Sequence, residues 1–181
     1  MSLYFWKNFS PMYKRIFSIV LVFVAIAIVT SIGTLVPISM EDATNIENEV
    51  SQTVTSLEQI GGLVPYVFGN NLMIALIMFV PILGPIFGGY VLFNTGTIVA
   101  ARAIALGYPP TLTFLSLFLT PVAWLEFIAY STAIASSIWL SVRIFQRNGK
   151  HEIVHTAEFI ATVAVLLLVG ALVEAALITA I

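Results

Sequence analysis

The basic residues of this chain cluster at the ends of long apolar runs, and by parity they fall on one side of a membrane. Lys7, Lys14 and Arg15 precede the first run, while Arg143, Arg147 and Lys150 fill the only basic loop. Acids outside the apolar runs and their edges lie in one stretch, residues 41–58, with no Lys or Arg beside them. Cytoplasmic loops carry the excess of Lys and Arg in membrane proteins, so the pattern places the N-terminus inside and residues 41–58 outside. The remaining basic residue, Arg102, sits within an apolar run, where a charge is costly and is usually paired or functional.

Composition agrees. The chain is 60% hydrophobic and 9% charged, with a mean hydropathy of +1.04. Soluble domains carry about 25% charged residues, so this chain cannot cover its own surface in water. No basic stripe with interleaved aromatics supports nucleic-acid binding. The absence of Cys removes disulfides, thiolate metal sites and Cys nucleophiles together. No phosphate-binding Gly-rich loop, dinucleotide turn or serine elbow is present.

Five crossings satisfy length and charge. Residues 16–36 are about the length needed to span; no small-residue cleavage site follows, so the run reads as a retained anchor rather than a signal peptide. The first 15 residues form an inner segment, and residues 16–181 one membrane domain. Residues 38–68 lie outside, where Ile46, Val50, Val54, Leu57 and Ile60 recur at helical spacing and predict an amphipathic helix. Its acidic face would be repelled by anionic lipid, which favours a protein contact.

The second crossing spans 70–93, kinked at Pro81 and Pro85 beside Gly84, Gly88 and Gly89, with Asn94-Thr95-Gly96 as an inner turn. The third, 97–120, is broken by Gly107-Tyr108-Pro109-Pro110; irregular backbone at membrane depth needs protein or a wet cavity to satisfy it. The fourth spans 121–142 and the fifth 153–181. Gly84 and Gly88 have the spacing of a small-residue helix contact. The fold class is all-α: a polytopic transmembrane helical bundle with kinked or broken helices and one outer amphipathic helix.

Three ionisable residues lie deep in apolar context, Arg102, Glu126 and Glu174. A lone charge at mid-bilayer costs about 2.5–3.5 kcal/mol on insertion scales. Pairing Arg102 with either glutamate would offset that cost and lock the third crossing to the fourth or fifth. Tyr130 stands four residues after Glu126 and shares its face. The same cluster of Arg102, Glu126, Tyr130 and Glu174 would serve a channel or transport path.

His151-Glu152-Ile153-Val154-His155 matches the zinc-protease pattern, two His one turn apart with an adjacent Glu as general base. A catalytic zinc needs three protein ligands. These are the only two His of the chain, and Glu158 and Glu174 are poor third ligands by their positions on the same helix. An interfacial turn in which His and Glu meet solvent is the competing reading, so no cofactor or metal is expected.

Several short motifs, in order, resemble the stage II sporulation protein M family. They are Asn70-Asn71 with Ala75, the Gly-rich segment 84–89, Asn94 with Gly96, Pro121 with Leu125-Glu126 and Ala129-Tyr130, and Ala171-Leu172-Val173-Glu174-Ala175 with Ile178-Thr179. The resemblance covers about residues 60–181. Many members carry a His-Gly pair before the glutamate; Val122-Ala123 stand there in this chain, so any role of that His is absent or has moved. The resemblance implies an integral membrane family of bacteria and archaea, and in spore formers a scaffold recruiting peptidoglycan-degrading partners.

The sequence thus leads to a multi-pass protein of the cell membrane, N-terminus cytoplasmic and C-terminus outside. It is expected to be a non-enzymatic scaffold or complex subunit, in contact with the lipid bilayer and with itself as a homo-oligomer or with another membrane or extracytoplasmic protein. A transport component and a zinc-dependent membrane protease are the alternatives.

Overall fold

A computed structural model describes residues 10–179, apart from the side chains of Lys150, His151 and Thr179. Ser10 starts the first helix: its hydroxyl accepts the Tyr13 N–H, and Pro11 occupies the first turn, where no backbone donor is missed. Helix α1 spans Pro11–Gly33. Ser39 caps α2, Met40–Gln59, by accepting the Asp42 N–H at 3.1 Å, and Glu41 and Asp42 complement the helix dipole. Ile60-Gly61-Gly62 ends α2, with Gly61 at φ +64, and α3 runs Leu63–Met78. Helices α4, Leu83–Ala105, α5, Pro110–Leu117, α6, Pro121–Phe145, and α7, Gly149–Thr179, complete the described chain. Among the described residues all secondary structure is helical.

Four helices are long and apolar enough to cross a membrane: α1, α4, α6 and residues Glu152–Ile178 of α7. Helix α3 is apolar but has 16 residues, roughly 24 Å of rise against a hydrocarbon core of about 30 Å. It still traverses the bundle. Its start, Leu63 to Asn70, lines a cleft with Glu174 and Ile178 near the end of α7, whereas Val80, just past its end, accepts a hydrogen bond from Ser137 near the end of α6.

The bundle therefore has two ends. One gathers Lys14, Arg15, Arg143 and Glu152 and is called the basic end; the far end holds α2, α5 and Arg102. Helices α1, α4 and α7 run from the basic end to the far end, and α3 and α6 run back.

Helix α6 is the centre. Every residue from Ala129 to Ser137 is buried. Small side chains let neighbouring backbones approach closely in an apolar solvent, where packing rather than the hydrophobic effect joins helices. Ser131, Thr132 and Ser136 turn their hydroxyls onto carbonyls of their own helix at 2.7–3.0 Å, so none is left unsatisfied. Around it Phe23, Phe114, Phe118, Trp124 and Phe127 make edge and stacked contacts. Leu21, Ile86, Tyr90 and Val165 point outward as an apolar surface for lipid.

The turn between α3 and α4 differs from the sequence expectation. The chain reverses at residues 79–82, where the sequence reading put a kink, and Asn94-Thr95-Gly96 continues helix α4 where that reading put a turn. The reversal is set by Ile82, held at φ 67, a backbone conformation that strains a β-branched residue. Two hydrogen bonds from α6 fix it: Ser141 Oγ accepts the Ile82 N–H at 2.9 Å, and the Ser137 hydroxyl donates to the Val80 carbonyl at 2.7 Å. A Cβ on Gly84 would collide with the Met78 carbonyl oxygen and with Ser137 Oγ.

This shift moves the later elements. The crossings expected at 70–93 and 97–120 become α3 and α4, and Leu63 to Phe68 belong to α3 rather than to the outer segment. The Gly107-Tyr108-Pro109-Pro110 break lies between α4 and α5, beyond the span, with Gly107 at φ +78. Gly84 and Gly88 do pack closely, Gly88 against Ile134 of α6. A second close contact, Gly33 of α1 against Gly96 of α4, was not anticipated: a Cβ on Gly96 would strike the Thr30 carbonyl oxygen.

Candidate functional site

Three helices bring polar groups together toward the far end. Pro121 opens α6, which places Glu126 in its second turn and Tyr130 one turn deeper on the same face. Asn71, from α3, donates from Nδ2 to Glu126 Oε1 at 2.7 Å. Glu174, on α7, acts electrostatically on Glu126 and on Tyr130. Tyr130 is 6% exposed. Glu126 and Tyr130 therefore share one face of α6, and Glu174 acts on both from α7.

Arg102 has a different partner from the one expected. Its Nε lies 2.6 Å from Glu47 Oε2 on α2, and the ion pair joins the amphipathic helix to α4. The physical reason follows from the displaced turn: with α4 starting at Leu83, Arg102 falls in its last turn, near the far end, instead of mid-span. There its charge also complements the carbonyl end of the helix. The Arg102 guanidinium holds the Glu47 carboxyl below its usual range, outweighing burial, with help from the Ser51 hydroxyl at 2.9 Å. Arg102 still lines a cleft with Glu174 and acts on it electrostatically.

Helix α2 lies over this region with its apolar stripe inward. Ala43 is fully buried, and Ile46, Val50, Val54 and Leu57 line a cleft of about 540 Å³ with Tyr66, Asn70 and Glu174. A second cleft of about 590 Å³ on the other flank of α2 is bounded by Arg102, Thr120, Val122 and Glu174. Glu174 is common to both. Sequence spacing carried a signal for Glu47: it stands four residues after Ala43 and three before Val50, at the edge of the buried stripe.

The His151–His155 segment is helical, as its spacing required, and opens α7. Glu152 is 4% exposed and pairs with Arg15 of α1, Nη1–Oε1 2.7 Å and Nη2–Oε2 2.8 Å, with Arg143 Nε at 4.0 Å. Arg15 and Arg143 also lie over the Trp139 ring, at 5.4 and 5.9 Å. His155 Nδ1 is 3.1 Å from Glu158 Oε2, and the His151 side chain lies outside the described residues. Among the described residues no three His, Cys, Asp or Glu converge as metal ligands. The signal missed in the sequence is a stripe: Glu152, Thr156, Val163 and Leu167 share one buried face of α7.

The remaining motif positions are structural in their contacts. Asn94 donates to the Tyr90 carbonyl at 3.0 Å within α4, Gly96 meets α1, and Asn70 lines the cleft beneath α2. In comparison with known proteins, the sequence profile described as stage II sporulation protein M matches residues 16–179. No curated protein and no solved structure matches the chain.

Proposed function

The chain belongs to the stage II sporulation protein M family, and we propose that it acts as a non-enzymatic scaffold or complex subunit of the cell membrane, presenting α2 to a protein partner on the outer face. The observation that carries this reading is the way α2 is displayed. Its inner stripe and Glu47 are anchored on the bundle, while Glu41, Asp42 and Glu58 face outward from an exposed surface. A purely lipid-bound helix would place its polar face toward headgroups, and an acidic face is repelled by anionic lipid.

The orientation follows from charge. Lys14, Arg15, Arg143 and Arg147 at the basic end suit the cytoplasmic side. Five traverses then put the N-terminus inside, and α2 and the C-terminus outside. The partner is a second copy of this chain or another membrane or extracytoplasmic protein. Native mass measurement from detergent-free membranes tests this. A mass above the monomer, or a stoichiometric co-purifying protein, supports it; monomer alone with no partner argues against it.

A transport role is the second reading, favoured by the half-buried Glu174 carboxylate that lines both clefts. Ion flux through proteoliposomes decides between the two. The zinc-hydrolase alternative would need Glu152 free to take a proton from water, and here Arg15 engages both its oxygens. Zinc near one per chain that disappears in His155→Ala would restore it.

A further inference from the structure

We propose that a cleft at the basic end binds the phosphate of an anionic phospholipid, with Arg143 as its principal contact. The cleft lies between the start of α1, the end of α6 and the start of α7, and encloses about 750 Å³. The inference goes beyond the scaffold reading and does not depend on it.

Arg143 has binding capacity left over. A guanidinium presents several N–H donors in a planar fork. Arg143 donates from Nη1 to Gln146 Oε1 at 3.3 Å, and its Nε lies 4.0 Å from Glu152 Oε2. Glu152 is held by Arg15 at 2.7 and 2.8 Å. One carboxylate between two guanidiniums leaves a positive charge over, and it falls on the more exposed of the two, Arg143 at 40%. The Arg143 guanidinium also lies 5.9 Å from the centre of the Trp139 ring. That contact orients the fork and leaves its N–H edges open to the cleft.

The other groups around the cleft point to an anion. Asn148 adds an amide from the α6–α7 loop, and Lys14 and Arg147 add positive charge at the same end. Against them stands Glu158, which lines the cleft from α7, is 68% exposed and contacts His155 at 3.1 Å. Arginine pairs with phosphate through two parallel, charge-assisted hydrogen bonds. Basic pockets between the ends of membrane helices are a recurrent setting for phosphate headgroups.

Apolar groups favour a lipid over free phosphate. Pro11, Met12 and Phe159 line the cleft beside the polar groups. Met12, Ile16 and Val20, four residues apart, are all exposed and form an apolar stripe that leads away from the cleft along α1. An acyl chain would lie on this stripe while its phosphate reaches Arg143. Trp139 stands one turn before Arg143 in α6, and Trp is enriched at the headgroup level of a membrane.

The test uses the full chain in maltoside micelles, titrated separately with dioctanoyl phosphatidylglycerol, dioctanoyl phosphatidylcholine and inorganic phosphate, and read by native mass measurement and thermal unfolding. Phosphatidylglycerol should bind saturably and raise Tm. Phosphatidylcholine should bind more weakly, and inorganic phosphate should have no effect at the same concentration. Arg143→Gln should weaken phosphatidylglycerol binding roughly tenfold or more, the scale of losing a charge-assisted hydrogen bond. Arg143→Lys, which keeps the charge without the fork, should fall between that variant and the parent. Glu158→Gln removes the exposed acid and should bind at least as tightly as the parent. Arg147→Gln removes the same charge from an exposed loop position outside the cleft and should bind nearly as the parent does. Should Arg143→Gln fail to fold, Arg143→Lys must still bind more weakly than Arg147→Gln. The proposal is overturned if changes at 143 and 147 weaken binding equally, because the attraction is then diffuse, or if the folded Arg143 variants bind as the parent does. It is also overturned if phosphatidylcholine matches phosphatidylglycerol, or if inorganic phosphate does, because the ligand is then not an anionic lipid.

Discussion

Arg15 of α1 and Glu152 of α7, 137 residues apart, meet in a two-point ion pair that ties the start of the first helix to the start of the last. The pair is largely buried, with Glu152 at 4% exposure and Arg15 at 16%. Breaking one side of such a pair strands a charge, whereas replacing both sides by apolar groups of similar volume is far less damaging.

Arg15→Met or Glu152→Met alone should therefore destabilise the protein by about 3–5 kcal/mol, and the double variant by much less than the sum. Unfolding midpoints in mixed micelles measure all three. Simple additivity would mean the two residues do not act as a pair.

The Gly84 contact gives a sharper steric contrast. A methyl there meets the Met78 carbonyl oxygen and Ser137 Oγ, whereas a Cβ on Gly89 meets nothing within 4 Å. Gly84→Ala should cost about 1–3 kcal/mol by overpacking. Gly89→Ala should be neutral or slightly stabilising, because Ala is the better helix former by about 1 kcal/mol. Equal effects at the two sites would contradict the packing of α4 on the α3–α4 turn and α6.

The Arg102–Glu47 pair anchors α2, but Arg102 is 46% exposed, so the link is worth about 1 kcal/mol or less. The expected result of Arg102→Leu is local: faster hydrogen exchange across residues 40–59 with little change in global stability. The pH dependence follows from the lowered Glu47 pKa. A carboxyl depressed in the folded state contributes fully above its unfolded value and loses that contribution as pH falls through the folded one. Protection of the α2 amides relative to their intrinsic exchange rate at each pH should therefore fall on acidification below the ordinary value of 4.5, and Glu47→Gln should abolish that response.

The same residues show what the sequence could and could not reveal. Length and charge were enough to find an all-α membrane bundle, and helical spacing was enough to find α2. The position of a turn was not. Pro81 and Pro85 with Gly84 read equally well as a kink within one helix or as a reversal between two, because Pro removes the same donor in both cases. What decides is tertiary: Ser137 and Ser141 of α6 satisfy the freed backbone at residues 80 and 82. Once the reversal is misplaced, Arg102 falls mid-bilayer and needs Glu126 or Glu174. Placed correctly, it finds Glu47. Glu152 was obscured for another reason, since a motif drew attention to its neighbours and away from its buried stripe.

Cysteine labelling separates the two placements of that turn and orients the bundle at once, since the chain has no native Cys. Asn48→Cys, on the exposed side of α2, should react with an impermeant maleimide from outside. Asn148→Cys, in the exposed loop between α6 and α7, should react from the cytoplasmic side. The decisive site is Ile82→Cys, exposed at the α3–α4 reversal and on the basic end. It should label from inside, after membrane permeabilisation only. Thr95→Cys lies within α4 beside Gly96, which packs on the end of α1, and it should not label from the cytoplasmic side. Inside labelling at position 95 with none at 82 would restore the turn at residues 94–96, and labelling of position 48 from inside would invert the protein.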